Sequence, residues 1–279
     1  MKERKVPAWV SAPLVLGAAG LLAWLERRRP LRRAVEPKPR REARNLAVAA
    51  VGAVALGVTE KPLAEALTSL VGRRRWGLLK VLRLPAWVEV ALAVVLLDYT
   101  LYLWHVLTHR VPFLWRFHLV HHVDLDLDAS TALRFHFAEL VVSAPFRAAQ
   151  ILVIGVSPLA FSVWQTLLML SILFHHSNAR LPAELERRLN RLVVTPRMHG
   201  IHHSDVKEET DSNWSSGLTV WDWLHGTLRL DVPQSEITIG VPAYRDPREL
   251  GLAEILKLPF GAERPAWLPR GGTLNTLKS

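Results

Sequence analysis

Apolar residues along this chain fall into long blocks separated by charged, Pro-rich or His-rich stretches. The first block runs from about Val6 to Trp24 and ends at Glu26-Arg27-Arg28-Arg29. It is long enough to cross a hydrocarbon core, which takes roughly 20 residues of helix. Its length, its Arg-rich exit and the lack of a clear A-x-A cleavage site favour a retained anchor over a signal peptide. A second block, Leu46 to Val58, is interrupted by Glu60-Lys61-Pro62 and resumes from Leu63 to Val71. Charges at mid-membrane cost several kcal/mol unless paired, so this span predicts a helix with a fault in it. The third block, Pro85 to Leu107, holds Asp98 in an otherwise apolar run. The fourth and fifth, Phe137–Val156 and Leu159–Phe174, meet at Gly155-Val156-Ser157-Pro158, a sequence suited to a tight turn.

The pattern therefore predicts an all-α, polytopic membrane bundle of five spans. It divides the chain into membrane anchor spans and a basic loop (1–84), a catalytic region (85–230) and a C-terminal tail (231–279) that is Gly/Pro-rich from Gly261. An amphipathic helix is expected over Pro182–Leu192. Residues 26–44 carry nine Lys/Arg against three acids and three prolines, the composition of a cytoplasmic connection. Alternating the spans from there places every His-rich segment in one cytoplasmic, helical cap, although the opposite loop also holds Arg73, Arg74, Arg75, Lys80 and Arg83.

Composition narrows the partners. The chain has 35 Lys/Arg against 25 acids and is 50% hydrophobic. Among such apolar blocks a net +10 points to lipid headgroups and not to nucleic acid. Cysteine is absent, which excludes disulfides, zinc ribbons and Cys-bound iron–sulfur clusters and leaves His, Asp and Glu to hold any transition metal.

Eight of the twelve His lie in three clusters: His105/His109 (WHVLTH), His118/His121/His122 (FHLVHH) and His199/His202/His203 (MHGIHH). On a helix, residues at i, i+3 and i+4 share a face, so each cluster sends its imidazoles into one small volume. Thr195-Pro196 predicts a helix start, with a hydroxyl cap, just before His199. A lone H-x-x-x-H is often incidental, but three clusters arriving at one membrane face exceed the ligand set of one ion of about four to six ligands. Two metal ions is the economical reading. His136 and His176 fall at the same predicted depth and are expected as further ligands. His175, about 100° round the helix from His176, is expected to pack or face solvent, and His225 to be structural. Asp98, seven residues before His105, is placed to orient a ligand's second ring nitrogen. Glu139 is read as a carboxylate of the same kind or as a helix-start acid, and Asn178 as a holder of a metal-bound water or a turn cap.

These residues resemble the fatty acid hydroxylase and sterol desaturase superfamily of integral membrane di-iron enzymes. The likeness covers about Asp98 to Thr227: D-x-x-x-Y-x-W-H-x-x-x-H, W-R-x-H-x-x-H-H, STALRFH, HSN at 176–178, R-M-H-x-x-H-H and a closing WD…GT in which His225 replaces the usual aromatic. The resemblance implies a two-iron centre held by nine or ten His, and dioxygen as co-substrate. It also implies hydroxylation or desaturation of a lipid chain, with electrons from an external ferredoxin or cytochrome. By position its ligands are His105, His109, His118, His121, His122, His199, His202 and His203, with His136 and His176 added. A zinc hydrolase lacks its H-E-x-x-H here, and a non-catalytic metal-binding protein is the remaining reading. The substrate is not legible.

Overall fold

The computed structural model describes residues 5–262 and 264–267, so the end of the Gly/Pro-rich tail lies outside the described residues. Five apolar rods form the bundle: α1 (Ala8–Arg28), α2 (Lys38–Val58) continued by α3 (Glu60–Arg74), α5 (Ala86–Arg110), α7 (Phe137–Ile154) and α8 (Pro158–His176). A short α4 (Leu78–Val81) precedes α5, and α6 (Pro112–His122) follows it. Beyond α8 come α9 (Ala183–Leu189), α10 (Pro196–His202), α11 (Lys207–Thr210), α12 (Val220–Leu224) and α13 (Leu252–Lys257). No β-strand occurs among the described residues, only isolated bridges. Each rod is long and apolar enough to cross a membrane, and between 6% and 33% of each crossing window is buried within the protein. The chain is a multi-pass integral membrane protein.

The fault in the second span is real. The helix breaks at Thr59 (φ −117°, ψ −80°), but α2 and α3 both run along α7. The buried Glu60 carboxylate sits 3.4 Å from Arg147 Nε on α7. Arg147 also donates to Gln150 and lies 4.4 Å over the Trp164 ring. An acid that looked misplaced in the sequence thus neutralises a cation from another span.

Away from the histidines, Gly155 (φ +82°) ends α7 and packs on Gly77 (φ +96°). A Cβ on Gly77 would meet Gly155 Cα at 2.3 Å, so this backbone contact requires glycine. At the opposite end, residues 239–258 return to pack Val241, Tyr244, Leu250 and Ile255 against Leu119, Val120 and Val123 of the α6 region. This apolar layer covers the helix that carries the second His cluster.

Removing Glu60 would strand Arg147 in the apolar interior, at a cost of about 3–5 kcal/mol for one partner of a buried pair. Glu60→Leu is expected to lower the unfolding midpoint in detergent more than the double variant Glu60→Leu/Arg147→Met. A double-variant loss equal to the sum of the Glu60→Leu and Arg147→Met losses would show that the pair is uncoupled.

Candidate metal centre

Pro112 lies at the first position of α6 directly after α5, and Pro196 starts α10. Each fixes a turn that aims a His-bearing helix at the ends of α5 and α8. The predicted Thr195 cap starts α10, but its hydroxyl donates to Asn190 Oδ1 (2.5 Å) and not to the helix. The eight clustered His and His176 are brought together in two groups: His105, His109, His118, His122 and His202 in one, His121, His176, His199 and His203 in the other. Within each group the candidate ligand atoms all lie within 4.8 Å of one another. The groups adjoin where the His122 and His203 rings stack, 4.3 Å between centroids.

Helical spacing explains the division. Residues i and i+4 differ by about 40° around the axis, whereas i+3 and i+4 differ by about 100°. Each H-x-x-H-H therefore sends its i/i+4 pair one way and its i+3 residue the other. On α6, His118 and His122 enter the first group and His121 the second; on α10, His199 and His203 enter the second and His202 the first. The two boxes interlock with opposite sense.

Ring orientation is set by acceptors that cannot donate. His105 Nδ1 lies 2.7 Å from the Trp214 carbonyl, His202 Nδ1 2.8 Å from that of Ser212, and His176 Nδ1 2.8 Å from that of Ile172. A carbonyl only accepts, so each Nδ1 carries the proton and each Nε2 presents a lone pair. His118 Nδ1 makes the matching contact with Glu139 Oε1 at 2.8 Å, the geometry of a carboxylate that orients a ligand.

The arrangement fits cations. In the first group, Nε2 of His109, His118, His122 and His202 is buried with no hydrogen-bond partner. In the second, the His121–His176 and His176–His199 Nε2 atoms are 3.0 Å apart and the His199–His203 pair 3.2 Å. Hydrogen bonds alone would require the single Nε2 proton of His199 to be shared between two rings. Imidazole nitrogens about 2.1 Å from one ion and at right angles lie about 3 Å apart, and a ligand set rich in imidazole suits iron, zinc, copper or nickel.

Electrostatics hold these rings in the ligating, neutral state. Burial, reinforced by neighbouring imidazoles, pushes His121, His122, His199 and His203 well below the usual histidine range. Burial also pulls His202 down to about 3, against the raising effect of the Ser212 carbonyl.

Three expected site residues lie elsewhere. His136 joins neither group: it caps α7, accepting from Ala138 N–H at Nδ1 (3.1 Å), while its Nε2 faces the Leu256 carbonyl at 3.2 Å. Both ring nitrogens are engaged. Asn178 braces the chain around Arg32, accepting from the Arg32 N–H (2.8 Å) and donating to the Arg32 carbonyl (2.9 Å), and makes no contact with the histidine groups. Asp98 touches no histidine; its Oδ2 accepts from Leu218 N–H (2.9 Å) and Trp221 Nε1–H (2.7 Å). Because Asp98 is seven residues before His105, the sequence places it on the right face but about two turns too deep. It acts one step removed, by anchoring the 214–221 segment whose Trp214 carbonyl orients His105. His175 is buried against His176 and His199, with ring centroids 4.6 and 4.1 Å away; it packs and does not face solvent.

Other supports went unread. Asp222 accepts from the Trp214 and Ser215 N–H groups (2.9 Å each) and from Thr227 Oγ1 (2.6 Å), fixing the loop beneath His105. The WD…GT motif was the available signal, since it contains both Asp222 and Thr227. Arg134 donates through Nε to the Val120 carbonyl (2.8 Å) and through Nη1 to Asn45 Oδ1 (2.7 Å). Asp124 accepts from Arg41 (2.9 Å), Asn45 (2.8 Å) and Thr131 (2.9 Å). Together they bind the end of α6 to α2.

A five-span helical bundle with nine imidazoles gathered at two adjoining foci defines a membrane protein with a histidine cluster able to hold metal ions. Comparison with known proteins narrows the class. Residues 90–227 match the fatty acid hydroxylase family, and the chain belongs to the fatty acid hydroxylase and sterol desaturase superfamily. It is 31% identical over 158 residues to ornithine lipid hydroxylase OlsE of Rhizobium tropici, covering 56% of this chain and 46% of that protein. It is 29% identical over 155 residues to mouse cholesterol 25-hydroxylase, covering 54% and 51%. Against human alkylglycerol monooxygenase it is 29% identical over 137 residues, covering 48% and 29%. The chain thus spans about half or less of the length of these relatives. No solved structure matches significantly.

Two outcomes follow from this geometry. His136→Ala is expected to retain the full metal complement while losing about 1 kcal/mol of stability through the lost α7 cap, whereas Glu139→Gln should weaken metal affinity about 10–100-fold; elemental analysis and unfolding in detergent distinguish them. Stability of the metal-free protein should fall with acidification. In the unfolded chain these His take up protons as pH drops below about 6.5, while His202 in the folded chain does so only near 3. Stability is therefore present above about 6.5 and lost progressively down to about 3. A flat pH profile across that window would contradict neutral burial.

Proposed function

We propose that this chain is a non-haem di-iron oxygenase that hydroxylates a carbon–hydrogen bond of a membrane lipid, using dioxygen and electrons from an external carrier. The observation that carries the reading is the pair of histidine foci together with an apolar groove of about 810 Å³ that runs along α5 and α8, the two spans that carry His105, His109 and His176 further toward their C-terminal ends. Trp87, Val94, Val163 and Leu167 line the groove, and Gly217 and Leu218 close its inner end. The volume lies in the range of ligand pockets. Bound iron would supply the redox capacity that an unactivated carbon–hydrogen bond demands and that side-chain acids and bases lack.

The protein's part is placement. The groove offers an acyl or sterol chain a dry approach from the bilayer. Nine imidazoles hold the ions: His105, His109, His118, His122 and His202 one, His121, His176, His199 and His203 the other. Glu139 and the Trp214, Ser212 and Ile172 carbonyls keep the ligating nitrogens aimed. The relatives' printed names, hydroxylases and a monooxygenase of ornithine lipid, cholesterol and alkylglycerol, favour hydroxylation of a lipid over desaturation. The Arg-rich 26–44 loop on the histidine side supports a cytoplasmic position for the centre.

Metal analysis of detergent-purified protein, joined to lipid mass spectrometry of expressing cells, tests the reading. Two irons per chain and a lipid that gains one oxygen atom are expected. A lipid that loses two hydrogens would instead identify a desaturase, and a zinc-only centre with no oxygen-dependent lipid change would sink the proposal. His202→Ala is expected to lose iron while remaining membrane-inserted.

A further inference from the structure

Hydroxylation places one atom of dioxygen in the carbon–hydrogen bond and releases the other as water. It consumes two electrons and two protons that the lipid does not supply. This chain has no cysteine, so it carries no Cys-bound iron–sulfur cluster of its own. From the charge pattern of the histidine-side surface we infer that the electrons arrive from an acidic one-electron carrier docked on an arginine patch formed by the loop after α1 and the α8–α9 connection. The inference rests on the oxygenase reading and adds its docking site.

Within residues 26–44 and 177–191, nine arginines are exposed but only one acid, Glu184. The remaining acids there are half-buried or buried and engaged: Glu26 with Lys38, Glu36 with Arg44, Glu42 with Lys38 and Glu186 with Arg197. Arg27 and Arg28 lie in the last turn of α1. Arg29, Arg33, Arg180 and Arg191 are exposed and have no ion pair among the described residues.

Backbone contacts make these arginines one surface. Arg180 N–H donates to the Arg29 carbonyl (2.8 Å), and Leu31 N–H to the Asn178 carbonyl (2.8 Å). The intervening Arg32 turns inward, donating to the Pro196 carbonyl (2.8 Å) and to Gln234 (2.7 Å). Its guanidinium occupies the space where a Cβ on Gly200 would lie, 1.7 Å from Nη2, so the patch rests directly on the helix carrying His199 and His202. Glu186 and Arg197, which join α9 to α10, lie close enough to act electrostatically on Arg32.

The patch is also close to the metal site through bonds. His176, a second-group ligand, is four residues from Arg180, a span of at most about 14 Å even fully extended. Unpaired arginines around such a route supply the charge complementarity that steers an acidic partner and speeds its association.

The test uses full-length protein in nanodiscs of phosphatidylcholine alone, with an oxidised plant-type [2Fe–2S] ferredoxin as the acidic probe and no lipid substrate. Binding should weaken at least tenfold when salt rises from about 10 to about 200 mM, because screening shortens the reach of exposed charges. Arg29→Glu/Arg33→Glu/Arg180→Glu should weaken low-salt binding at least tenfold with metal content unchanged, and Arg73→Glu/Arg74→Glu at the opposite end should not. Wild-type binding by the triple variant would overturn the inference. So would capture of phosphatidylserine vesicles by the patch without ferredoxin binding, which would make it a headgroup site. Because binding is read without turnover, an inactive enzyme leaves docking standing and a failure to dock leaves the oxygen chemistry standing.

Discussion

Nine imidazoles crowded at two adjoining foci are the constraint around which the rest of the structure is arranged. In the second group the Nε2 atoms stand 3.0–3.2 Å apart, a crowding that a shared cation would relieve, and burial holds His121, His199 and His203 well below the usual histidine range. Such a site cannot be held by its own contacts. It is held by the ends of α5 and α8, by two proline-started helices, and by an outer layer that exists to keep those helices still.

That outer layer is mostly backbone. Carbonyls of Trp214, Ser212 and Ile172 choose the tautomers of His105, His202 and His176, so the loop from 212 to 218 must be as rigid as a side chain would be. Asp222 from one side and Asp98 from the other grip its N–H groups, and Gly217 lies against Asp98 so closely that a Cβ would meet Oδ1 at 2.3 Å. The same loop closes the inner end of the groove. One segment therefore lines the apolar groove on one side and orients His105 on the other.

Much of this was legible because its signals are local. Five apolar blocks and three His clusters are periodic features that survive without knowledge of tertiary contacts, and the i/i+3/i+4 rule placed eight rings together. What was not legible depended on partners distant in sequence. His136 reads like a ligand until the Leu256 carbonyl, 120 residues on, is seen to engage its Nε2. Glu60 reads like a fault in a span until Arg147 appears beside it. Asp98 reads like a support for His105 because periodicity reports the face of a helix and not the depth along it. The Asp-Leu-Asp-Leu-Asp run after His122 gives no hint that Arg41 joins all three of its carboxylates in ion pairs.

The opposed sense of the two H-x-x-H-H boxes has a further consequence. If each box served one ion, either helix could shift by a fraction of a turn and carry its ion with it. Because α6 and α10 each contribute to both groups, any relative movement pulls ligands from two ions at once, and the boxes resist displacement as a pair. The Arg134–Val120 bond at the end of α6 and the Arg32 guanidinium against Gly200 of α10 oppose the same motion from outside. A centre built this way is fixed by the helices themselves and does not depend on what enters the groove.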